Sequence, residues 1–383
     1  MRVFLVAGEA SGDRLGAALM AGLKTLEDVE FLGVGGPLMQ AEGMTSLFPM
    51  DELSVMGLAE ILPKYPHLKR RLHQTAEAVL EAQPDVLITI DSPDFSLRVA
   101  KLVKAKSSIR TVHYVAPSVW AWRAGRAVKM ARVIDHVLAL LPFEPPFMET
   151  AGMECDFVGH PVVAEPIASD TEVAEFKTKY ETGDDPVLLV LPGSRRGEVT
   201  RLGPTFGKAL GRVLQRHPAL KLVIPTTASV AGLVKEVVAD WPVRPIILDP
   251  NNMRNDVYKA DKAASFRLSN WALAASGTVS LELAAAETPM VIAYDMNWIS
   301  RAVISRMLKV DTLTLVNLVS ETRAVPECLG KDCQADVIAP KLLKLMESPD
   351  DQIAAMRLTM KRLGKGGEAP GLRAAKAVLT RMP

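Results

Sequence analysis

Val3-Phe-Leu-Val-Ala-Gly-Glu-Ala-Ser-Gly-Asp13 sets an unbroken apolar run against a turn of small and acidic residues. Apolarity without alternation reads as a strand covered on both faces, the signature of a parallel sheet between two helix layers. The small-residue turn hands that strand to a helix, and such turns can present backbone N–H groups to an anion or polar ligand. The phrase returns in the second half as Pro186-Val-Leu-Leu-Val-Leu-Pro-Gly-Ser-Arg-Arg-Gly197. Strands are expected at residues 3–7, 31–34, 86–90 and 111–115, then at 186–191, 220–224, 245–248, 272–275 and 290–294. With helical patterns between them, they predict an α/β chain of two Rossmann-like doubly wound domains facing a central cleft. Residues 159–170, with Pro161 and Pro166, read as the hinge. The expected divisions are 1–163, 164–350 and a pair of C-terminal helices in 351–383 that pack back on the N-terminal domain or exchange in a dimer.

The 383 residues fit two domains, and 45 Lys+Arg against 44 Asp+Glu leave a net charge of +1. No global field draws such a chain to nucleic acid, so any bound anion must be held locally. Three cysteines, Cys155, Cys328 and Cys333, fit neither a paired disulfide framework nor a structural zinc site. The apolar run at 3–7 is too short for a signal-peptide core, and no run reaches 18 uncharged apolar residues. Several signals are missing: no GxxxxGK[ST], no HExxH, and no complete dinucleotide fingerprint, since Gly33-Val-Gly-Gly36 continues with Pro37 and Leu38 where the third glycine of that motif belongs. Neither a metal nor a cofactor is expected.

Three turns carry chemistry. In Pro192–Gly197, Arg195 and Arg196 add charged donors suited to a diphosphate, unless they merely face solvent. Ala275-Ser-Gly-Thr278 leads into a helix with Glu282 one turn inside, where a carboxylate suits the two hydroxyls of a ribose or simply favours the helix dipole. Ile90-Asp-Ser-Pro-Asp-Phe95 ends a strand with Asp91 and Asp94; Asp94 is either a helix cap or a general base in the cleft. His113 reads as a core histidine, and His160 is either a base or, as is commoner for a His beside Pro in a linker, structural. Two tryptophans, Trp120 and Trp122, precede Arg123 and Arg126 in a Pro-Ser loop. Between Phe48 and Arg71, the apolar Met50, Val55, Met56, Leu58, Ile61 and Leu62 precede Lys64, Lys69, Arg70 and Arg71. That mixture belongs either to a core helix with solvated charges or to a segment that docks on anionic lipid.

Taken together these motifs resemble the lipid-A-disaccharide synthase family along nearly the whole chain. The matching residues are GEASGD (8–13), GVGG…M (33–39), Met56-Gly57, IDSPDF (90–95), HYVAPSVWAWR (113–123), LLPFE (140–144), FVGHP (157–161), LPGSR (191–195), ASGT…LE (275–282) and VNL (316–318). Ser96 stands where the family usually has Asn, and no proline precedes Asn317. The resemblance implies a GT-B glycosyltransferase with an N-terminal acceptor domain and a C-terminal UDP-sugar domain. It implies inverting, metal-free transfer from UDP-diacylglucosamine to diacylglucosamine 1-phosphate, giving the β-1,6 lipid A disaccharide 1-phosphate and UDP. The implied setting is the cytoplasmic face of the inner membrane of Gram-negative bacteria, as a peripheral protein. A homodimer with exchanged C-terminal segments is also implied.

On this reading Asp94 is the base, with Asp91 as support or alternate and Glu9 as a third catalytic residue. Arg195, the backbone near Gly193 and Ser194, and the turn Ser276-Gly277-Thr278 meet the diphosphate. Glu282 takes the ribose and Asn317 a donor polar group. Glu9, Ser11 and Asp13 line the acceptor side with Trp120 and Arg123, and Met56, Leu58, Ile61 and Leu62 meet acyl chains or membrane. The alternatives are a UDP-sugar 2-epimerase of the same fold and a non-catalytic lipid-binding protein.

Overall fold

The computed structural model describes residues 1–53, 58–121, 125–296 and 310–382, with 58–64 by backbone alone. The chain divides into two compact units. One is Met1–Ala164 joined by Leu363–Pro383; the other is Glu165–Arg362.

The first unit holds seven strands: β1 (Arg2–Ala7), β2 (Glu30–Val34), β3 (Thr45–Ser46), β4 (Val86–Ile90), β5 (Arg110–Tyr114), β6 (His136–Ala139) and β7 (Glu154–Phe157). They form one parallel sheet in the order β3-β2-β1-β4-β5-β6-β7. Strand β1 shows why its sequence is apolar without a break. Val3, Leu5 and Ala7 enter a core with Leu15, Leu19 and Leu23 of the Ala10–Lys24 helix and with Ala374 and Val378 of the last helix. Phe4 and Val6 enter the opposite core with Val79 of the Leu58–Ala82 helix and Val99 and Val103 of the Pro93–Lys104 helix. Each large apolar side chain so buried is worth roughly 1.5–3 kcal/mol.

The second unit repeats the scheme with β8 (Val187–Leu191), β9 (Lys221–Pro225), β10 (Ile246–Leu248), β11 (Trp271–Ala275), β12 (Met290–Tyr294) and β13 (Glu327–Leu329). Their parallel order is β10-β9-β8-β11-β12-β13. Leu188 and Val190 pack with Val199, Leu202 and Phe206 of the Arg196–Arg216 helix and with Ile338 and Leu342 of the Ala335–Glu347 helix.

The expected division at 350/351 is corrected. The Asp350–Arg362 helix stays with the second unit, where Thr359 Oγ1 donates to the Val316 carbonyl (3.2 Å) and Arg362 to that of Val319 (2.7 Å). Only the Pro370–Thr380 helix returns to the first unit, seated on the Ala10–Lys24 helix. Arg373 donates to the Phe157 carbonyl (2.8 Å), and Arg381 pairs with Asp156 (3.2 Å). Four strands lie beyond the sequence expectation: β3, β6, β7 and β13.

Candidate active site

In each sheet the first strand sends its successors to one side and the fourth to the other. The order therefore reverses between β1 and β4, and again between β8 and β11. Open α/β sheets bind ligands at such switch points, outside the carboxyl ends of the strands. The motif-bearing turns lie there.

In the first unit the turns after β1 and β4 are neighbours, with Ala7 opposite Ile90. A Cβ on Gly8 would stand 2.8 Å from Ser92 Oγ. Asp91 and Ser92 both take positive φ, 49° and 44°, and Val115 at the end of β5 takes 88°. For a β-branched residue that is an outlier, and strain of this kind costs on the order of 1–3 kcal/mol per residue. It is held by backbone bonds from Asp91 N–H to the Tyr114 carbonyl (2.9 Å) and from Val115 N–H to that of Leu138 (3.0 Å). Ser96 Oγ also donates to the Asp91 carbonyl (2.7 Å), a further anchor for the turn. The result is an exposed Asp94 in the first turn of its helix and a half-buried Asp91. No described side chain engages either carboxylate. Glu9 is the half-buried N-cap of the Ala10–Lys24 helix, and Ser11 is exposed in its first turn.

Asp13 requires a correction. It is buried, and its carboxylate accepts from the N–H groups of Gly36 (2.9 Å), Leu38 (3.0 Å) and Met39 (3.0 Å). These bonds tie the first turn to Gly33–Gly36, so Asp13 is a lock between two motifs rather than an acceptor ligand.

His113 and His160 are both engaged within the fold. Burial lowers both to about 4; Thr89 Oγ1 meets His113 Nδ1 at 2.8 Å, and His160 Nδ1 accepts from Val162 N–H at 3.2 Å. A neighbouring group was not singled out from sequence. Glu144 is buried and accepts from Leu141 N–H (3.0 Å), and burial raises its carboxyl to about 7. The indole N–H of Trp120 lies close enough to favour the ionised carboxylate but closes no hydrogen bond of normal geometry. Trp120 stands edge-on to Phe143 at 5.3 Å. The LLPFE motif contained Glu144 but gave no hint of its burial.

In the second unit the turns after β8 and β11 are adjacent, with Leu191 opposite Ala274. Ser194 and Arg195 are exposed, as are Gly277 and Thr278, while Gly193 and Ser276 are half-buried. Ser280 Oγ donates to the Gly277 carbonyl (2.9 Å) and shapes that turn. Glu282 Oε2 accepts from Lys262 Nζ (2.6 Å), a partner the motif did not reveal.

Two expectations change here. Asn317 is buried, donates to Thr312 Oγ1 (3.2 Å) and the Val325 carbonyl (2.9 Å), and accepts from Val325 N–H (2.9 Å). Its amide is spent on holding its own loop and offers nothing to a donor. The Ser194 and Arg195 amides are also engaged, by Glu198 at 3.0 and 3.3 Å.

The apolar segment of the first unit is only partly visible. Phe48 and Met50 are core, and Arg71 is clamped to Glu52 (2.7 and 2.8 Å) over the Phe48 ring. Lys69 and Arg70 are exposed. Met56 and Arg123 lie outside the described residues, as do the side chains of Leu58, Ile61 and Leu62. Among the described residues no helix is long and apolar enough to cross a membrane, and no three His, Cys, Asp or Glu side chains gather as a metal site.

A family model described as lipid-A-disaccharide synthetase matches residues 3–379. The chain belongs to that family. Lipid-A-disaccharide synthases resemble it over nearly their whole length: the Ruegeria pomeroyi protein is 64% identical, covering 100% of this chain and 96% of that one. The Rhodospirillum centenum protein is 47% identical, covering 98% and 94%. Among solved structures, a UDP-GlcNAc 2-epimerase from Neisseria meningitidis bound to UDP-GlcNAc superposes with a TM-score of 0.65 at 12% identity, covering 99% of each chain. MurG from Acinetobacter baumannii superposes at 0.53 with 14% identity, covering 100% of this chain and 98% of that one. At these identities the likeness is one of fold, the GT-B arrangement that transferases and epimerases share. Family membership, not fold, therefore separates the two: this lipid-A-disaccharide synthetase relative is a glycosyltransferase of lipid A biosynthesis.

Proposed function

We propose that the chain transfers diacylglucosamine from UDP-2,3-diacylglucosamine to the 6-hydroxyl of 2,3-diacylglucosamine 1-phosphate, with inversion and without a metal. The observation that carries this reading is the pair Asp91 and Asp94, two carboxylates that no described side chain engages, on a strained turn at the switch point of the first unit. Asp94 takes the proton of the attacking hydroxyl, with Asp91 beside it as support or alternate base. The new bond forms between acceptor O6 and the donor anomeric carbon as the bond from that carbon to the diphosphate oxygen breaks, and UDP leaves. Glu9 and Ser11 at the β1 turn, with Trp120 and Arg123, line the acceptor.

On the donor side the leaving charge is met by Arg195, by the backbone at Gly193–Ser194 and by the Ser276–Thr278 turn. Glu282 receives the ribose hydroxyls, sharing its carboxylate with Lys262. Both substrates carry acyl chains, so the protein works as a peripheral protein on the cytoplasmic face of the inner membrane. Met56, Leu58, Ile61 and Leu62 enter lipid there, and the exposed Lys69 and Arg70 face its anionic surface. A homodimer exchanging C-terminal segments would use the seat that the last helix occupies on the Ala10–Lys24 helix.

Purified protein incubated with UDP-2,3-diacylglucosamine, with and without acceptor, tests the proposal. Acceptor-dependent UDP release with appearance of the disaccharide supports it. Isomerised donor without acceptor, or lipid binding with no turnover, overturns it.

A further inference from the structure

Glu198 stands at the third position of the Arg196–Arg216 helix and folds back over its start. Its Oε2 accepts from the N–H groups of Ser194 (3.0 Å) and Arg195 (3.3 Å), and its Oε1 lies 3.8 Å from the Arg195 guanidinium. An acid at this position often belongs to a reciprocal capping pair, but the N-cap here is Arg195, whose guanidinium has no acceptor to complete one. The side chain is only 16% exposed although Arg195 beside it is 71% exposed. Room for it exists because residue 193 is glycine: φ is 115°, and a Cβ there would stand 2.5 Å from Glu198 Oε2. Tyr294, at the end of β12, feels the charges of Glu198, Arg195 and Arg201. A carboxylate thus occupies the amides, the cation and the sign of charge that a phosphate would use.

We infer that Glu198 is a built-in occupant of the anion cradle, displaced when the donor diphosphate enters and returning as UDP leaves. This deepens the proposed function and rests on its assignment of Gly193–Arg195 to the diphosphate. Two anions cannot share the same two N–H groups, so the diphosphate binds only when the Glu198 side chain swings out. That competition weakens the grip on UDP and speeds its release after transfer.

Calorimetric titration of UDP into wild-type protein, Glu198→Gln and Glu198→Ala tests the inference, with thermal melting to verify folding. Both variants are expected to bind UDP about tenfold more tightly. In steady state Glu198→Gln should lower KM for the donor and also lower kcat, because product release slows. A merely structural cap gives another pattern: Gln, which still accepts from the amides, keeps wild-type affinity, and Ala weakens it. That pattern, or weaker UDP binding in both, overturns the inference. Should Glu198→Ala fail to fold, Glu198→Gln with the kcat and KM split decides alone. Wild-type protein that binds no UDP refutes the donor-site reading itself, and the inference falls with it.

Discussion

Asp13 Oδ1 accepts the Gly36 N–H at 2.9 Å, joining two turns that are 23 residues apart in the chain. The same carboxylate takes the N–H groups of Leu38 and Met39, so three backbone donors depend on one side chain. Asp13→Asn keeps the shape but turns an NH2 group toward those donors. A buried donor left unpaired costs about 1–3 kcal/mol, so the variant should lose about 2 kcal/mol or more in urea unfolding. Unchanged stability with a raised KM for acceptor would return Asp13 to the acceptor site.

Asp94 presents the opposite case, being exposed and engaged by no described side chain. Asp94→Asn should reduce turnover roughly 100-fold or more. Its unfolding free energy should move by less than about 1 kcal/mol, the scale of a single charge at a helix start. Asp91→Asn is the matched control, since asparagine tolerates the positive φ of this position. Near-normal turnover in Asp94→Asn beside an inactive Asp91→Asn moves the base to Asp91.

Glu144 couples stability to pH. Burial raises its carboxyl from 4.5 to about 7. Below about pH 4.5 the group is neutral in folded and unfolded chains alike. Between that point and 7 the unfolded chain gives up the proton while the folded one retains it, so stability falls as pH rises. Glu144→Gln keeps the acceptor for Leu141 N–H and stays neutral. Its advantage over wild type in urea unfolding should grow to about 3 kcal/mol by pH 8 and vanish near pH 4. Parallel curves for the two proteins would exclude the coupling.

Arg195 is largely solvated and stands 3.8 Å from Glu198, a geometry that adds little to folding. Arg195→Ala should leave the unfolding midpoint unchanged. It should weaken UDP binding by about 2 kcal/mol, roughly 30-fold, because a charge-assisted pair with the diphosphate is lost. Equal UDP affinity in calorimetry would remove Arg195 from the donor site.

What could be read without coordinates follows from local chemistry. Val3–Ala7 and Val187–Leu191 announce doubly covered strands because every residue in them is apolar, and GEASGD and LPGSR announce turns because small residues crowd there. Those two facts locate the turns after β1 and β8 and hence Arg195, while Asp91 and Asp94 are read from a third local signal, the strand end Ile90–Phe95. Strands β7 and β13, Glu154–Phe157 and Glu327–Leu329, escaped because an edge strand is short and half polar, which the apolar pattern does not register. The two C-terminal helices look alike in sequence. Only packing assigns Asp350–Arg362 to one unit and Pro370–Thr380 to the other. The fates of the polar groups were likewise out of reach. Asp13 and Asp94 are both aspartates near a helix start beside glycine- or proline-containing turns, yet one is spent on Gly36, Leu38 and Met39 and the other is open. Asn317 and Glu198 are both spent, because a backbone N–H from a distant or folded-back segment arrives within about 3 Å of each. Residue type sets which bonds a side chain is able to make, and tertiary structure decides which partners reach it, because hydrogen bonds act over ångströms while sequence separation says nothing about distance.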